Sequence, residues 1–324
     1  MAQKLIANNA VDIAVEETPD FIHLDLTLSA GENCCRVVVK GTHTNVVELY
    51  INGQPQPLSE KQNTRTQRET LPTFSLQQAY DFINRVDFND IRFILDAARL
   101  NSALAAEGKT KKYGLNINGT FSDAVKNGLM SNDLLSKVII NTVAASDARM
   151  GGAPVVAMSN FGSGNQGITA TMPVVVVAEH LGVDEETLAR ALSLSHLTAI
   201  SIHSRYTRLS ALCAASTAAM GAAAGMAWLF TRDINTINTA IINMVSDITG
   251  MICDGASNSC AMKVSSVVSS AFKAVLMAMQ NSCAGANDGI VCADVEQTIN
   301  NLCRLVIKPM TLTDKEIISI MVAK

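Results

Sequence analysis

Aromatic side chains are nearly missing from this sequence: they make up 4% of 324 residues, with a single Trp. The core therefore cannot rest on large rings, and must be built from Ala, Val, Ile, Leu and the 14 Met. Charge is sparse too, at 17% against 48% hydrophobic residues, so most helices must be buried rather than bathed in solvent. There is no basic excess. The formal net charge of −4 argues against a nucleic-acid platform. The densest basic cluster, Lys109, Lys111 and Lys112, reads as a solvated loop. Residues 1–20 carry Glu16, Glu17 and Asp20 and lack a long apolar run, so they do not read as a signal peptide. One stretch, 209–230, holds no charge over 22 residues and is long enough to span a bilayer. Ala and Gly dominate it, however, alongside Ser210, Ser216 and Thr217, so a central helix buried on all sides by protein is expected. A cytoplasmic protein with no membrane or nucleic-acid partner follows as the expectation.

What the chain does have is cysteine. Eight thiols without an export signal are unsuited to disulfides, which leaves metal ligation, catalysis or core packing. The first 55 residues read as β-structure. Over 21–30, Ile22, Leu24, Leu26 and Leu28 alternate with His23, Asp25 and Thr27. Val37–Val39 and Val46–Ile51 look like further strands, and Asn52-Gly53 is a turn signal, giving an antiparallel meander with one wet face. Residues 56–74 are polar and proline-bearing and read as a linker. From Ser75 onward helical signals dominate: a Ser75/Gln78 capping box, Asp184 before a helix over 185–203, an apolar stripe over 233–249 stopped by Gly250, and Thr313 with Glu316 at the start of the last helix. The fold class expected is α+β, a small N-terminal antiparallel β meander (1–55) followed by a large, mainly α-helical domain (75–324).

Three groups of residues could carry chemistry. In MICDGASNSC (251–260), Cys253 and Cys260 stand seven apart on what reads as a loop after a helix stop, and Cys213 lies 40 residues earlier in the Ala-rich helix. Three thiolates suit zinc or an iron–sulfur cluster; the alternative is three small apolar core residues. Residues 162–167 fit G-x-G-x-x-G, but without the strand context of a dinucleotide site. An anion pocket is the better chemical reading, with backbone N–H groups, Ser163, Asn165 and Gln166 around a carboxylate and a helix beginning near Ile168. A tight inter-helix turn is the alternative. Gly-Thr-His-Thr-Asn (41–45) offers His43 as a base, a donor or a structural histidine. In SDARMGG (146–152), Arg149 could bind a substrate carboxylate or pair with Asp147 or Glu179. Cys34, Cys35, Cys283, Cys292 and Cys303 show no ligand grouping, Cys303 being the first to reconsider.

SDARMGGAPVVAMSNFGSGNQGITATMPVVVVAEH (146–180), LSALCAASTAAMGAAAGMAWL (209–229) and GMICDGASNSCAMKVS (250–265) together closely resemble the bacterial L-cysteine desulfidases, relatives of the iron–sulfur L-serine dehydratase α subunit. GTHTN (41–45) and IRFILDAARLN (91–101) fit as well, so the likeness covers nearly the whole chain. The resemblance implies a 4Fe–4S cluster on Cys213, Cys253 and Cys260. It also implies a pocket for a small amino acid, onto which Ser163, Asn165, Gln166, His43, Thr44 and Asn45 map, with Arg149 beside them. The implied reaction takes L-cysteine to pyruvate, ammonia and hydrogen sulfide without pyridoxal phosphate; L-serine dehydration is the alternative. The base is not identifiable, His43 being the weak candidate. One departure stands out. The family carries an N-terminal segment with a Gly-Cys-Thr-Glu-Pro motif that is absent here. Residues 1–55 then read as the remnant of an N-terminal α/β domain, and the chain is expected to bind a cluster with weak or absent turnover, as an impaired enzyme or one half of a split one. A homodimer is left open by the sequence.

Overall fold

The computed structural model describes the chain apart from residues 1, 17, 19, 21, 43, 59–72, 207, 208 and 324, and the side chains of residues 2 and 3. Two compact units are formed, Met1–Pro72 with Ile320–Lys324, and Thr73–Ser319.

The first unit opens with a short helix, α1 (Ala2–Ala7), where only β-structure was expected. Four antiparallel strands follow in the order β1 (His23–Ala30), β2 (Asn33–Lys40), β3 (Val46–Ile51) and β4 (Gln54–Pro55). The Asn52-Gly53 turn has φ of 49° and 77°, the left-handed pair that matches the twist of a tight hairpin. The wet face is there: Arg36 donates to both oxygens of Asp25 at 2.6 and 2.8 Å and to Glu48 at 3.5 Å. On the other face Leu24, Leu26 and Leu28 are 56%, 64% and 46% exposed, contrary to a simple dry face. β1 is an edge strand, paired only with β2 among the described strands.

The second unit is helical: α2 (Leu76–Arg85), α3 (Phe88–Ile91), α4 (Leu95–Gly108), α5 (Ile117–Lys126), α6 (Leu134–Met150), α7 (Gly164–Leu181), α8 (Glu185–His203), α9 (Ala214–Thr231), α10 (Ile234–Ile248), α11 (Cys260–Met279), α12 (Val295–Ile307) and α13 (Met310–Val322), the last running on into the first unit. The starts follow side-chain caps. Ser75 and Gln78 form the reciprocal box on α2, and Asp133, Asp184, Asp233 and Asp294 each accept an amide hydrogen bond at their helix start. The last helix begins at Met310, three residues before the expected start. Pro309, with its fixed φ, stands just ahead of it, so Thr313 lies inside the first turn.

Helix α9 is the centre of the unit. Its residues 215–229 are all buried, in keeping with a core helix rather than a span. A β-carbon on Gly221 would lie 2.3 Å from the Ser195 carbonyl oxygen, and one on Gly225 would lie 2.9 Å from that of Ala191. The α8–α9 approach therefore requires residues without side chains, which explains the Ala and Gly richness of 209–230 by close packing. Among the described residues only Cys260–Met279 is long and apolar enough to cross a membrane, and half of that window is buried in protein.

Candidate active site

The three cysteines of interest lie on two chain segments held together by backbone. Leu212 and Ile252 form an isolated antiparallel bridge, in which the Cys213 amide donates to the Met251 carbonyl at 2.9 Å and the Cys253 amide to the Ala211 carbonyl at 2.7 Å. Cys213 and Cys253 thus flank the bridged pair on the same side, as diagonal neighbours about 7–8 Å apart at the backbone. Cys213 is not inside the Ala-rich helix, as expected from sequence, but is the N-cap of α9. The bridge holds residues 211–213 extended, so the helix starts only at Ala214. Cys260 is the first residue of α11, and its thiol turns back into the loop, receiving the Ser257 amide at 3.5 Å and donating to the Gly255 carbonyl at 3.5 Å.

Neither the α9 nor the α11 start is closed by a side-chain cap. At α11 the first amides are taken up by the preceding turn, Cys260 donating to the Ser257 carbonyl at 3.0 Å and Ala261 to that of Asn258 at 3.3 Å, and at α9 Ser216 donates to the Cys213 carbonyl at 2.9 Å; the positive end of each helix dipole still faces the segment that bears the thiol. Cys213 is pushed up to about 11, first by burial; the Ala215 amide and Lys263 pull it down, and the neighbouring Cys253 and Cys260 thiols push it further up. Cys213 is therefore within electrostatic reach of both Cys253 and Cys260. Among the described residues, no three His, Cys, Asp or Glu side chains are drawn to metal-binding spacing as they stand. As a donor set the three thiols fit a soft metal group: they are free, they come from a loop and two helix starts, and thiolate sulfur is the ligand such a group prefers.

Arg149 ends α6 beside this cluster. Its guanidinium is pulled below its ordinary value by burial, and Cys260 is the one charge partner that counters this. The acids proposed as its partners are engaged elsewhere. Asp147 accepts from the Asn118 amide at 2.9 Å and the Asn118 side chain at 3.0 Å, closing the start of α5, and burial raises its carboxyl. Glu179 lies toward Lys109. Arg149 is instead packed on the start of α7: a β-carbon on Gly164 would sit 2.2 Å from its Nε. The Gly-rich loop is thus packed against the arginine whose charge reaches Cys260.

That loop is a turn followed immediately by a helix. Asn160 and Ser163 exchange backbone hydrogen bonds at 3.0 and 3.1 Å, across Phe161 (φ 48°) and Gly162 (φ 84°). Ser163 caps α7 by accepting from the Gln166 amide at 3.3 Å, so the helix begins at Gly164, four residues before the expected start at Ile168. Gly167 is needed for closeness, since a β-carbon there would fall 1.9 Å from the Met158 carbonyl oxygen. The amide side chains turn inward: Asn165 meets Ser146 at 3.1 Å, and Gln166 donates to Asn160 at 2.8 Å and lies 2.7 Å from His203 Nδ1. Thr44 is exposed, while Asn45 donates to the Lys40 carbonyl at 2.9 Å to close the β2–β3 turn; both belong to the first unit. His43 lies outside the described residues.

Sequence reasoning did not find the polar network under this loop. Asn160 Nδ2 lies 2.9 Å from His196 Nδ1, Thr171 Oγ1 lies 3.0 Å from His196 Nε2, and Asn101 donates to Thr171 at 3.1 Å. His196 is wholly buried, and burial pushes it down to about 4, so it is neutral. His203, one heptad along α8, stacks between Phe161 and Tyr206, with ring centroids 4.5 and 4.6 Å away. Tyr206 in turn meets Thr217 of α9 at 2.6 Å. The seven-residue spacing of two histidines on one helix face was the available signal. Two cavities, of about 730 and 260 Å³, lie around Phe74 and contain none of the expected site residues. Cys303 borders the larger and donates to the Ile202 carbonyl.

Comparison with known proteins matches this architecture to one family. The family described as serine dehydratase alpha chain matches residues 29–319. A UPF0597 protein of Klebsiella pneumoniae subsp. pneumoniae is 99% identical over all 324 residues, which cover 76% of that relative. The UPF0597 protein YhaM of Escherichia coli (strain K12) is 51% identical over 328 aligned residues, covering 100% of this chain and 75% of the relative. YhaM of Salmonella typhimurium is 50% identical with the same coverage. With a family match across most of its length and relatives this similar end to end, the chain belongs to the serine dehydratase alpha chain family.

Proposed function

We propose that this protein is an iron–sulfur-dependent lyase that eliminates the β-substituent of a small amino acid, with L-cysteine as substrate and Cys213, Cys253 and Cys260 as ligands of a 4Fe–4S cluster. The observation that carries the reading is the placing of three free thiols and of Arg149, which has no carboxylate partner among the described residues, at the starts of α7, α9 and α11. Three thiolate ligands leave one iron open, so the group when bound supplies a Lewis acid to a substrate atom.

The chain's own residues do the rest. Arg149 and the first amides of α7 receive the substrate carboxylate through charge-assisted hydrogen bonds. Ser163 and the Asn160 turn fix where those amides point, and the Gln166–His203 contact locks the turn from beneath. The α-proton leaves to a base, the C–H pair forms the Cα=Cβ bond, and the Cβ–S bond breaks with its pair on sulfide. The aminoacrylate released hydrolyses to pyruvate and ammonia. L-Serine is the second reading, favoured by the name of the family the chain matches. The test is anaerobic: loaded protein is given L-cysteine or L-serine, and pyruvate and sulfide are measured. Equal pyruvate and sulfide from L-cysteine, outpacing pyruvate from L-serine, is expected. Pyruvate from L-serine alone would replace the first reading by the second, and none from either in a chain that holds its cluster would leave the impaired enzyme expected from the sequence.

A further inference from the structure

Beyond the three thiols, one cation belongs to the same cluster. Lys263 lies one helical turn after Cys260 on α11, on the same face. Its ammonium bonds the carboxylate of Asp254, the residue next to Cys253. That ion pair spans the loop whose two ends are Cys253 and Cys260. The lysine side chain is only 18% exposed although Asp254 is 58% exposed, so the pair is closed from the protein side.

We propose that Lys263 is a positioning residue for metal uptake: it holds the 253–260 loop closed through Asp254, so that the two cysteines at the ends of the loop are presented together. This rests on the reading that these cysteines hold a metal group. The ion pair ties the residue after Cys253 to a residue one helical turn beyond Cys260, so both ligand-bearing ends of the loop are held by one contact. An aliphatic side chain could fill the space of Lys263, but it could neither bond Asp254 nor carry charge.

The test uses the full chain, metal-free and anaerobic, with Co(II) as the probe and the thiolate-to-cobalt absorption band as the readout. Circular dichroism and thermal unfolding of the metal-free variants check the fold. Lys263→Met is expected to weaken Co(II) binding by roughly 10–100-fold, the usual effect of losing a partner that supports metal ligands. Lys263→Arg, which keeps both the charge and the ion pair, is expected to stay close to the parent. Co(II) binding in Lys263→Met as tight as in the parent overturns the proposal, and so does equal weakening in Lys263→Met and Lys263→Arg, which would point to packing. If the parent shows no cobalt–thiolate band, or one that survives Cys253→Ala, the ligand assignment itself fails, and the proposal with it.

Discussion

Individual side chains divide into those that face the thiols and those that hold the surroundings still. Cys213, Cys253 and Cys260 belong to the first group, and replacing any one by Ser should abolish the brown absorbance of the loaded protein. Cys283→Ser should leave it intact, because Cys283 is exposed and outside the cluster. Arg149 is the second member. Arg149→Met removes a charge-assisted contact worth about 1.5–3 kcal/mol, so kcat/KM for the amino acid should fall by roughly 10–100-fold, with iron content unchanged. A loss of iron instead would make Arg149 a structural neighbour of Cys260. His196 belongs to the holding group. Its folded value, about 4, lies below the ordinary 6.5 because of burial, so the unfolded chain binds the extra proton between these values. Its stabilising effect is complete above pH 6.5 and is lost as the pH falls toward 4, by about 3 kcal/mol across the window. Denaturant unfolding at pH 7 and pH 5 should show the decline, and His196→Gln should flatten it.

At the level of elements, the site is a meeting of helix starts. Helices α7, α9 and α11 bring their amino-terminal ends to Arg149 and the loop 251–260, and close packing lets them do so. Gly221→Ala would set a β-carbon against the Ser195 carbonyl. Overpacking of this kind costs about 1–3 kcal/mol, so the melting temperature should drop by roughly 2–4 °C per kcal/mol, which differential scanning calorimetry would register. An unchanged melting temperature would mean that α8 and α9 can separate freely. Much of this level was legible in the chain. Local chemistry dictates a helix start, so the Ser75/Gln78 box and the Asp184 cap could be read directly, and α8 runs over the very residues expected. The start of α7 was misjudged because glycines at 162, 164 and 167 look like loop, whereas Gly164 and Gly167 serve close contact with Arg149 and the Met158 carbonyl. The start of α9 was misjudged because a backbone bridge between residues 40 apart, Leu212 and Ile252, leaves no local signal. The same holds for the His196–Asn160–Thr171 network, whose members come from three segments, and for the Lys263–Asp254 ion pair that closes the cysteine loop.

On the scale of the molecule, the helical unit is a core packed through small residues, with Cys213 and Cys260 at the starts of two of its helices and Cys253 on the loop that leads into the second. A metal group there would tie α9, the loop 251–260 and α11 into one body. Loading should therefore raise the unfolding temperature of the helical unit, since a ligand held only by the folded state stabilises it by mass action, about 2.7 kcal/mol at 100 times its dissociation constant. Chelation should reverse the gain. The central claim is that these three cysteines, and no others of the eight, hold one cluster, and the most direct measurement is iron and acid-labile sulfide per chain after anaerobic reconstitution. The account expects close to four of each in the parent, with loss in Cys213→Ser, Cys253→Ser and Cys260→Ser and retention in Cys303→Ser. Iron that fails to bind the parent, or that survives loss of any of the three, would contradict it.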